Sequence, residues 1–231
     1  MHRFFVEEIK AEEAILDAEE SRHLAKVLRL KEREKVEVFD GSGKLFQASI
    51  AETHSKKVLL NNLKLIDEQK GEFGIHLAVA PTKNLSRWET FLEKATEIGI
   101  DRITPIWCEH SERKTLKQER QMRILKSAVK QSQKLKLPHL DEMISFSALL
   151  KENFKDEKYI AHCYEDSEKL ALHKINAKSA LVLIGPEGDF SLAEVNKAKK
   201  EGFQAVSLSK SRLRTETAAI VAAHTLHLRH D

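Results

Sequence analysis

Polar and apolar positions follow two different patterns along this 231-residue chain. In the first part, short stretches alternate apolar and polar side chains, which is typical of strands with one buried face. A helical segment at residues 21–28 interrupts them and directs basic side chains outward. We therefore expect a small β-barrel or sandwich here. The predicted strands are residues 36–39, 45–50 and 57–65, and the predicted turn is residues 40–43.

In the second part, apolar runs alternate with segments of helical periodicity, a pattern that favours a mostly parallel sheet with helices on both faces. Asn84 is placed to cap the first helix and Gly99 to end it. Ser191 and Glu194 predict a capping box for a later helix. The predicted strands are residues 75–80, 103–107, 159–163, 181–184 and 205–208, and the predicted helices are residues 84–99, 118–133, 147–154, 191–202 and 216–228.

Residues 67–72 contain no apolar side chain and include a glycine, so they are the best linker candidate. We therefore predict a first domain over residues 1–70 and a second over residues 73–231. The last helix, residues 216–228, is apolar on most of its circumference. Because such a helix must be buried, we expect a second copy of the chain to cover part of it.

Composition narrows the possible classes of protein. No run approaches the roughly 18 consecutive apolar residues of a membrane helix, and the N-terminus lacks the apolar centre of a signal peptide, so we expect no membrane and a cytoplasmic location. Cys108 and Cys163 are too few for a disulfide framework, and we expect both to be buried reduced thiols. A net charge of +3 does not by itself indicate nucleic acid, although basic residues do cluster locally.

Two polar loops, residues 185–188 (Gly-Pro-Glu-Gly) and 208–217, each follow a predicted strand and precede a helix. Ligands bind at the carboxyl ends of strands in open α/β sheets, because loops converge there and helix N-termini offer free N–H groups. We interpret the two loops as a small-molecule pocket. The alternatives are a simple turn in the first loop and, in the second, a structural ion pair for Arg214 with Glu216 complementing the helix dipole.

Several common sites are absent from the sequence. Neither loop has the lysine and hydroxyl of a Walker A loop or the spacing of a dinucleotide-binding fingerprint, which argues against an NTPase and a nicotinamide enzyme. His224, His227 and His230 are spaced three apart, but no carboxylate or cysteine joins them at ligand spacing. We therefore predict no metal site.

At residues 183–188 (Leu-Ile-Gly-Pro-Glu-Gly) and 212–218 (Arg-Leu-Arg-Thr-Glu-Thr-Ala) the chain resembles the RsmE family of SPOUT-class methyltransferases. The resemblance extends to residues 23–29, residues 94–99, and Gln131 with Leu137-Pro138. It implies a PUA-like β-barrel followed by a SPOUT α/β domain with a trefoil knot. It further implies a homodimer, S-adenosylmethionine as methyl donor, and methylation of N3 of one uridine in 16S ribosomal RNA within the small subunit.

The resemblance also implies roles for individual residues. Arg214 corresponds to the essential arginine, and we expect Glu216 to orient it or, as the weaker alternative, to act as a base. Ser209 stands where we expect the family's glycine, and its Cβ would narrow the pocket or require a negative φ. The expected RNA-binding residues are Arg22, Lys26 and Arg29. The expected cofactor-binding residues are Leu183, Gly185, Glu187, Gly188, Leu208, Ser209, Leu213, Thr217 and Ala218.

Two alternatives to this function remain at the level of the sequence. One is the same chemistry on another RNA, such as a tRNA. The other is a non-catalytic RNA-binding or ribosome-assembly factor that kept the fold, for which Ser209 is the motivating residue. Lys126 and Lys130, four apart on one helix face, predict either a second basic surface for RNA or an ordinary solvated face.

Overall fold

The computed structural model describes residues 1–54, 56–69, 74–165 and 169–229. The chain divides into two compact units, the first formed by Met1–Gly71 with Lys126–Leu137 and the second by Glu72–Leu125 with Pro138–Asp231. Part of the predicted linker, residues 70–72, lies outside the described residues. Its first two residues, Asp67 and Glu68, belong to the last strand of the first unit, so the linker prediction began too early.

A six-stranded sheet forms the first unit, in the order β1-β4-β5-β6-β3-β2. Its described pairs are antiparallel except β1 with β4. The three strands predicted from alternation lie within β4, β5 and β6, where buried side chains alternate with more exposed ones except at bulges in the pairing of β5 with β6. The strands are β1 (Arg3–Phe5), β2 (Ile9–Lys10), β3 (Glu13–Leu16), β4 (Lys35–Phe39), β5 (Lys44–His54) and β6 (Lys57–Glu68).

The helical segment of the first unit begins earlier than predicted. Helix α1 (Ala18–Arg22) is capped by Asp17, whose side chain accepts a hydrogen bond from the Glu20 N–H. It continues into a π-helical turn, His23–Leu28, which ends at Arg29 with φ 56°. Leu24 is the buried anchor of this turn.

The second unit contains an eight-stranded sheet in the order β10-β8-β7-β13-β11-β14-β12, with β9 beside β8. All of its described pairs are parallel, as the strand–helix alternation predicts. The strands are β7 (Gly74–Val79), β8 (Arg102–Trp107), β9 (His139–Leu140), β10 (Ile144–Ser145), β11 (Glu157–Ala161), β12 (Leu170–Ala171), β13 (Ser179–Ile184) and β14 (Gln204–Ser207).

Capping chemistry sets the helix ends of the second unit where the sequence predicts them. The Asn84 side chain accepts from the Ser86 N–H, Gly99 ends the same helix with φ 105°, and Ser191 and Glu194 form a capping box. The predicted helix 147–154 is wrong in its extent, because only one short turn forms there. The helices are α2 (Leu85–Ile98), α3 (Gln118–Ser132), α4 (Phe146–Leu149), α5 (Leu192–Lys200) and α6 (Thr215–His227).

The C-terminal half of α3 belongs to the first unit, which the sequence did not predict. Lys126 forms an ion pair with Glu7, and Lys130 forms one with the buried Glu20. The two lysines do share a face, but carboxylates of the first unit neutralise it. The apolar residues of this contact are Phe5, Phe39, Leu45, Val129 and Leu135.

Candidate functional site

A cavity of about 710 Å³ opens at the carboxyl ends of β11, β13 and β14. Three segments supply most of its wall: residues 161–165 after β11, residues 184–187 with Asp189 after β13, and residues 206–215 after β14. These strands are neighbours in the sheet, so their carboxyl ends open onto one crevice. The cavity has the volume of a typical small-molecule site. It lies where the two polar loops predict a pocket.

The structure brings most of the predicted site residues to this cavity, but not all of them. Leu183 is fully buried inside β13, Gly188 faces away from the cavity wall, and Thr217 and Glu216 lie on α6 outside the lining. The predicted residues that line the cavity are Gly185, Glu187, Leu208, Ser209, Leu213, Arg214 and Ala218.

The first loop is a tight turn in which the carbonyl of Pro186 accepts a hydrogen bond from the Asp189 N–H at 2.9 Å. A Cβ on Gly185 would stand 3.0 Å from the Phe190 ring, so a side chain at this position would force Phe190 to shift. The Glu187 carboxylate accepts from the Lys83 N–H at 3.0 Å, which ties the loop to the segment that precedes α2. Glu187 therefore also supports the wall that it lines.

Gly188 lies in close contact with His110, on the other side of the loop. A Cβ there would lie 3.0 Å from the His110 Cβ. The His110 Nδ1 lies 3.1 Å from the Gly188 carbonyl and 3.0 Å from that of Asp189. Gly188 thus permits a neighbouring loop to pack against the turn and does not itself line the cavity.

Ser209 does not have the backbone conformation that requires glycine, because its φ lies outside the left-handed region. Its hydroxyl oxygen accepts from the Ser211 N–H at 3.1 Å, and its carbonyl accepts from the Ser207 hydroxyl at 3.2 Å. These bonds form a small local turn at the exposed edge of the cavity. The structure therefore has the backbone predicted for Ser209, and Ser209 also lines the cavity.

Arg214 and Glu216 stand at the start of α6 but face different surroundings. Arg214 is the N-cap residue, exposed and lining the cavity. The Glu216 side chain is 12% exposed, and its Oε1 lies 3.8 Å from the Arg87 Nε on α2. Two residues along a helix are turned by about 200° about its axis, which separates the two side chains. The structure therefore does not bring Glu216 to the cavity as an orienting partner or base.

Sequence patterns missed one wall of the cavity, residues 161–165. The predicted strand 159–163 includes the first three of these residues, but β11 stops at Ala161. Cys163 is consequently exposed in this wall, contrary to prediction, whereas Cys108 is buried as predicted. Partial burial and the Asp189 carboxylate raise the pKa of the Cys163 thiol. No signal in the sequence marks this segment, because it joins the site only through its neighbours in the sheet.

The cavity carries charges of both signs. Apolar side chains of Ile184, Val206, Leu208 and Leu213 also line it. Its wall can therefore meet a ligand that combines an aromatic body with a zwitterionic end. The cations are Lys169, Lys210, Arg212 and Arg214, and the carboxylates are Glu165, Glu187 and Asp189.

The predicted RNA-binding residues Arg22, Lys26 and Arg29 are all exposed on the first unit. Arg22 ends α1, Lys26 lies in the π-helical turn and Arg29 directly follows that turn, so one short segment presents three cations. Within the four described ranges, no group of three His, Cys, Asp or Glu side chains is placed to hold a metal ion. His230 of the predicted histidine triplet lies outside those ranges. Among the described helices, none is long and apolar enough to cross a membrane.

Comparison with known proteins agrees with this geometry. A family model for an RNA methyltransferase domain matches residues 69–227, and one for an RNA methyltransferase PUA domain matches residues 16–61. The chain is 28% identical to ribosomal RNA small subunit methyltransferase E of Mesomycoplasma hyopneumoniae, over 95% of this chain and 96% of that protein.

Solved structures give the same result. A probable rRNA methyltransferase from Porphyromonas gingivalis has a TM-score of 0.88 and 35% identity over 100% of both chains. Ribosomal RNA small subunit methyltransferase E from Neisseria gonorrhoeae, bound to S-adenosyl methionine, has a TM-score of 0.86 and 27% identity over 99% of this chain and 98% of that one. The chain therefore belongs to the RNA methyltransferase family, which confirms the resemblance to the RsmE methyltransferases.

Proposed function

We propose that this chain uses S-adenosylmethionine to methylate N3 of one uridine in 16S ribosomal RNA. The observation that carries the proposal is the cavity at the carboxyl edge of the sheet, with the exposed Arg214 in its wall. The relative from Neisseria gonorrhoeae was solved with this cofactor, and the curated relatives are named for the small-subunit ribosomal RNA.

The residues present fit S-adenosylmethionine. Ile184, Val206 and Leu208 supply an apolar surface for the adenine. The Glu187 carboxylate complements a sulfonium or an ammonium group, whereas Lys and Arg side chains of the same wall complement a carboxylate. When bound, the cofactor supplies an electrophilic methyl group.

Uridine N3 becomes a nucleophile only after it loses its proton to solvent water, because the imide otherwise holds the lone pair. Arg214 has guanidinium donors and an exposed position in the cavity wall, so it is suited to stabilise the negative charge that then develops on O2 or O4. The N-terminus of α6 adds a partial positive charge at the same place. Arg214 therefore favours the deprotonated ring and orients it, while Glu216 faces Arg87.

N3 lies in the Watson–Crick edge, so the target uridine must be unpaired or flipped out of its helix. The exposed Arg22, Lys26 and Arg29 of the first unit are suited to neutralise phosphates and to hold the RNA independently of its sequence. We propose that the first domain, residues 1–70, positions the RNA and that the second, residues 73–231, carries out the transfer.

The same proposal includes a homodimer, a trefoil knot in the second domain and a cytoplasmic location. Ile220 and Val221 on α6 are half-buried within one chain, which leaves apolar surface for a second copy. The order β7-β13-β11 places a late strand between two earlier ones, as an interlaced chain path requires. The proposed substrate, the RNA of the small ribosomal subunit, supports the cytoplasmic location.

Mass spectrometry of nuclease-digested 16S RNA tests the function directly. RNA from cells that lack the gene is expected to lose one 3-methyluridine, and the purified chain with S-adenosylmethionine is expected to restore it. Small subunits, free 16S RNA and tRNA should be compared as substrates in the same assay. Transfer to tRNA alone would contradict the proposed substrate.

Calorimetry separates an enzyme from a binding factor. The purified chain is expected to bind S-adenosylmethionine with a stoichiometry of one per cavity. Absence of binding, together with retained affinity for the small subunit, would contradict catalysis and favour a ribosome-assembly factor.

A further inference from the structure

Asp189 has an unusual backbone for its residue type. Its φ is 63°, in the left-handed region that favours glycine, and it directly follows Gly188 in the turn after β13. A non-glycine residue in this region carries backbone strain, although Asp tolerates it better than most residue types. The strain persists only where the surroundings hold the residue in place.

The carboxylate of Asp189 forms the contacts that hold it. Oδ2 accepts from the Cys163 N–H at 2.7 Å, and Oδ1 accepts from the Phe190 N–H at 2.8 Å. Hydrogen bonds to an ionised carboxylate are about twice as strong as neutral ones. Asp189 thus joins the wall after β11 to the loop after β13 by a side chain.

The contact between Asp189 and Cys163 lies beyond the point where β11 and β13 pair through their backbones. The backbone pairing of β11 with β13 ends at Ala161 and Ile184, and Cys163 lies two residues farther on. A second link of the same kind follows, since the Tyr164 hydroxyl donates to the Phe190 carbonyl at 2.9 Å. Both Cys163 and Asp189 line the cavity, so the position of this wall sets its width.

We propose that Asp189 is a positioning residue that sets the width of the cofactor cavity by holding residues 161–165 against the loop after β13. The left-handed backbone of Asp189 is what aims its carboxylate at the Cys163 N–H. This inference rests on the proposed function, because it takes S-adenosylmethionine as the ligand of the cavity.

The variant Asp189→Gly removes the carboxylate and relieves the backbone, so the fold itself is not expected to suffer. Calorimetry with S-adenosylmethionine is expected to show about tenfold weaker binding, the loss that corresponds to one charge-assisted hydrogen bond. In methyl transfer, KM for the cofactor is expected to rise by the same factor, with kcat at saturation within about twofold of the parent. Unchanged KM with a reduced kcat would overturn the inference.

Two further variants serve as controls. One removes the charge of Asp189 but keeps a hydrogen-bond acceptor, and the other introduces glycine at a left-handed position far from Asp189 in sequence. Asp189→Asn tolerates the left-handed backbone and keeps one acceptor oxygen, so its affinity is expected within about threefold of the parent. Asn62→Gly replaces another left-handed residue, φ 55°, in the first unit and is expected to bind as the parent does. Equal losses in all three variants would contradict a specific role for Asp189.

Amide hydrogen exchange of the ligand-free protein tests the contact without the cofactor. The peptide that contains Cys163 is expected to exchange about tenfold faster in Asp189→Gly than in the parent, because its N–H loses its acceptor. Equal exchange overturns the inference. If the parent itself does not bind S-adenosylmethionine, the proposed function fails instead, and the exchange result still decides whether Asp189 holds the wall.

Discussion

The two edges of the parallel sheet in the second unit use charged residues in different ways. At the amino edge of β7 and β8, Asp141 accepts from the Arg102 Nε at 2.8 Å and its Nη2 at 3.1 Å, and it also accepts from the Thr104 hydroxyl. The His76 Nε2 lies 2.7 Å from the Thr104 oxygen. At the carboxyl edge, Arg214 forms no ion pair with the residues that the structure describes and faces the cavity.

The two edges differ in the groups to which their charged side chains bond. Hydrogen bonds from Arg102 and Thr104 outweigh burial and hold the pKa of Asp141 below its usual range. The amino-edge charges are thus satisfied within the chain, where they contribute to stability. At the carboxyl edge the Arg214 side chain remains available to a ligand. Substitutions at the amino edge should therefore alter stability, and substitutions at the carboxyl edge should alter activity.

The largest expected effect is on activity at the carboxyl edge. Arg214→Ala should lower kcat a few hundredfold, about 3.5 kcal/mol, because the donors for the developing imide charge are lost. The free energy of unfolding should change by less than about 0.5 kcal/mol, since the side chain is exposed and makes no cap hydrogen bond. Single-turnover methyl transfer and urea unfolding measure the two quantities. Arg123→Ala, an exposed arginine on α3, is the control.

Lowering the pH should reduce the stability of the folded chain through His76 at the amino edge. Burial lowers the pKa of His76 from 6.5 to about 4, with the Arg102 guanidinium acting in the same direction and Asp141 opposing it. Below pH 6.5 the unfolded chain therefore binds a proton that the folded chain excludes, and stability falls as the pH decreases towards 4. This histidine should contribute a loss of about 3 kcal/mol across that window.

Urea unfolding at several pH values measures the contribution of His76. The variant His76→Asn carries no titrating ring and should show a correspondingly shallower pH dependence than the parent. Identical slopes in the two proteins would contradict a neutral, buried His76.

The next largest effect should come from breaking the network of Asp141, Arg102 and Thr104 at the amino edge, and it should be an effect on stability. Asp141→Asn should cost about 2 kcal/mol of stability, less than a fully buried ion pair because solvent reaches Arg102. Its side chain is 40% exposed, against 15% for Asp141. Affinity for S-adenosylmethionine should stay within about twofold, because the network lies at the opposite edge from the cavity. Arg120→Ala, which breaks an exposed pair with Glu89, should change stability by less than about 1 kcal/mol.

The smallest expected effect is at Ser209. Ser209→Gly removes one hydrogen bond within the loop, from the Ser211 N–H, and the backbone conformation does not require glycine. Cofactor affinity should change less than about threefold, roughly 0.7 kcal/mol. A gain of tenfold or more in calorimetry would show instead that the Ser209 side chain obstructs the cavity.

Much of the secondary structure followed from the sequence because its causes are local. Alternation located β4, β5 and β6, and the caps Asn84 and Ser191 located two helix starts. The short strands β1 to β3 were missed, since two to four residues carry too little periodicity to detect. The assignment of half of α3 to the first unit was missed as well, because it depends on pairs such as Lys130 with Glu20, 110 residues apart.

The sequence by itself determined that two polar loops each follow a strand of a parallel sheet, and that Arg214 lies in the second loop. Strand ends, glycines and charged residues are local features, and the strand–helix alternation places the loops at one edge. Tertiary structure alone decided that Glu216 faces Arg87 and that residues 161–165 complete the cavity. It also decided that Asp189 holds Cys163. These depend on side-chain direction and on which strands are neighbours, and both are set by packing between segments far apart in the chain.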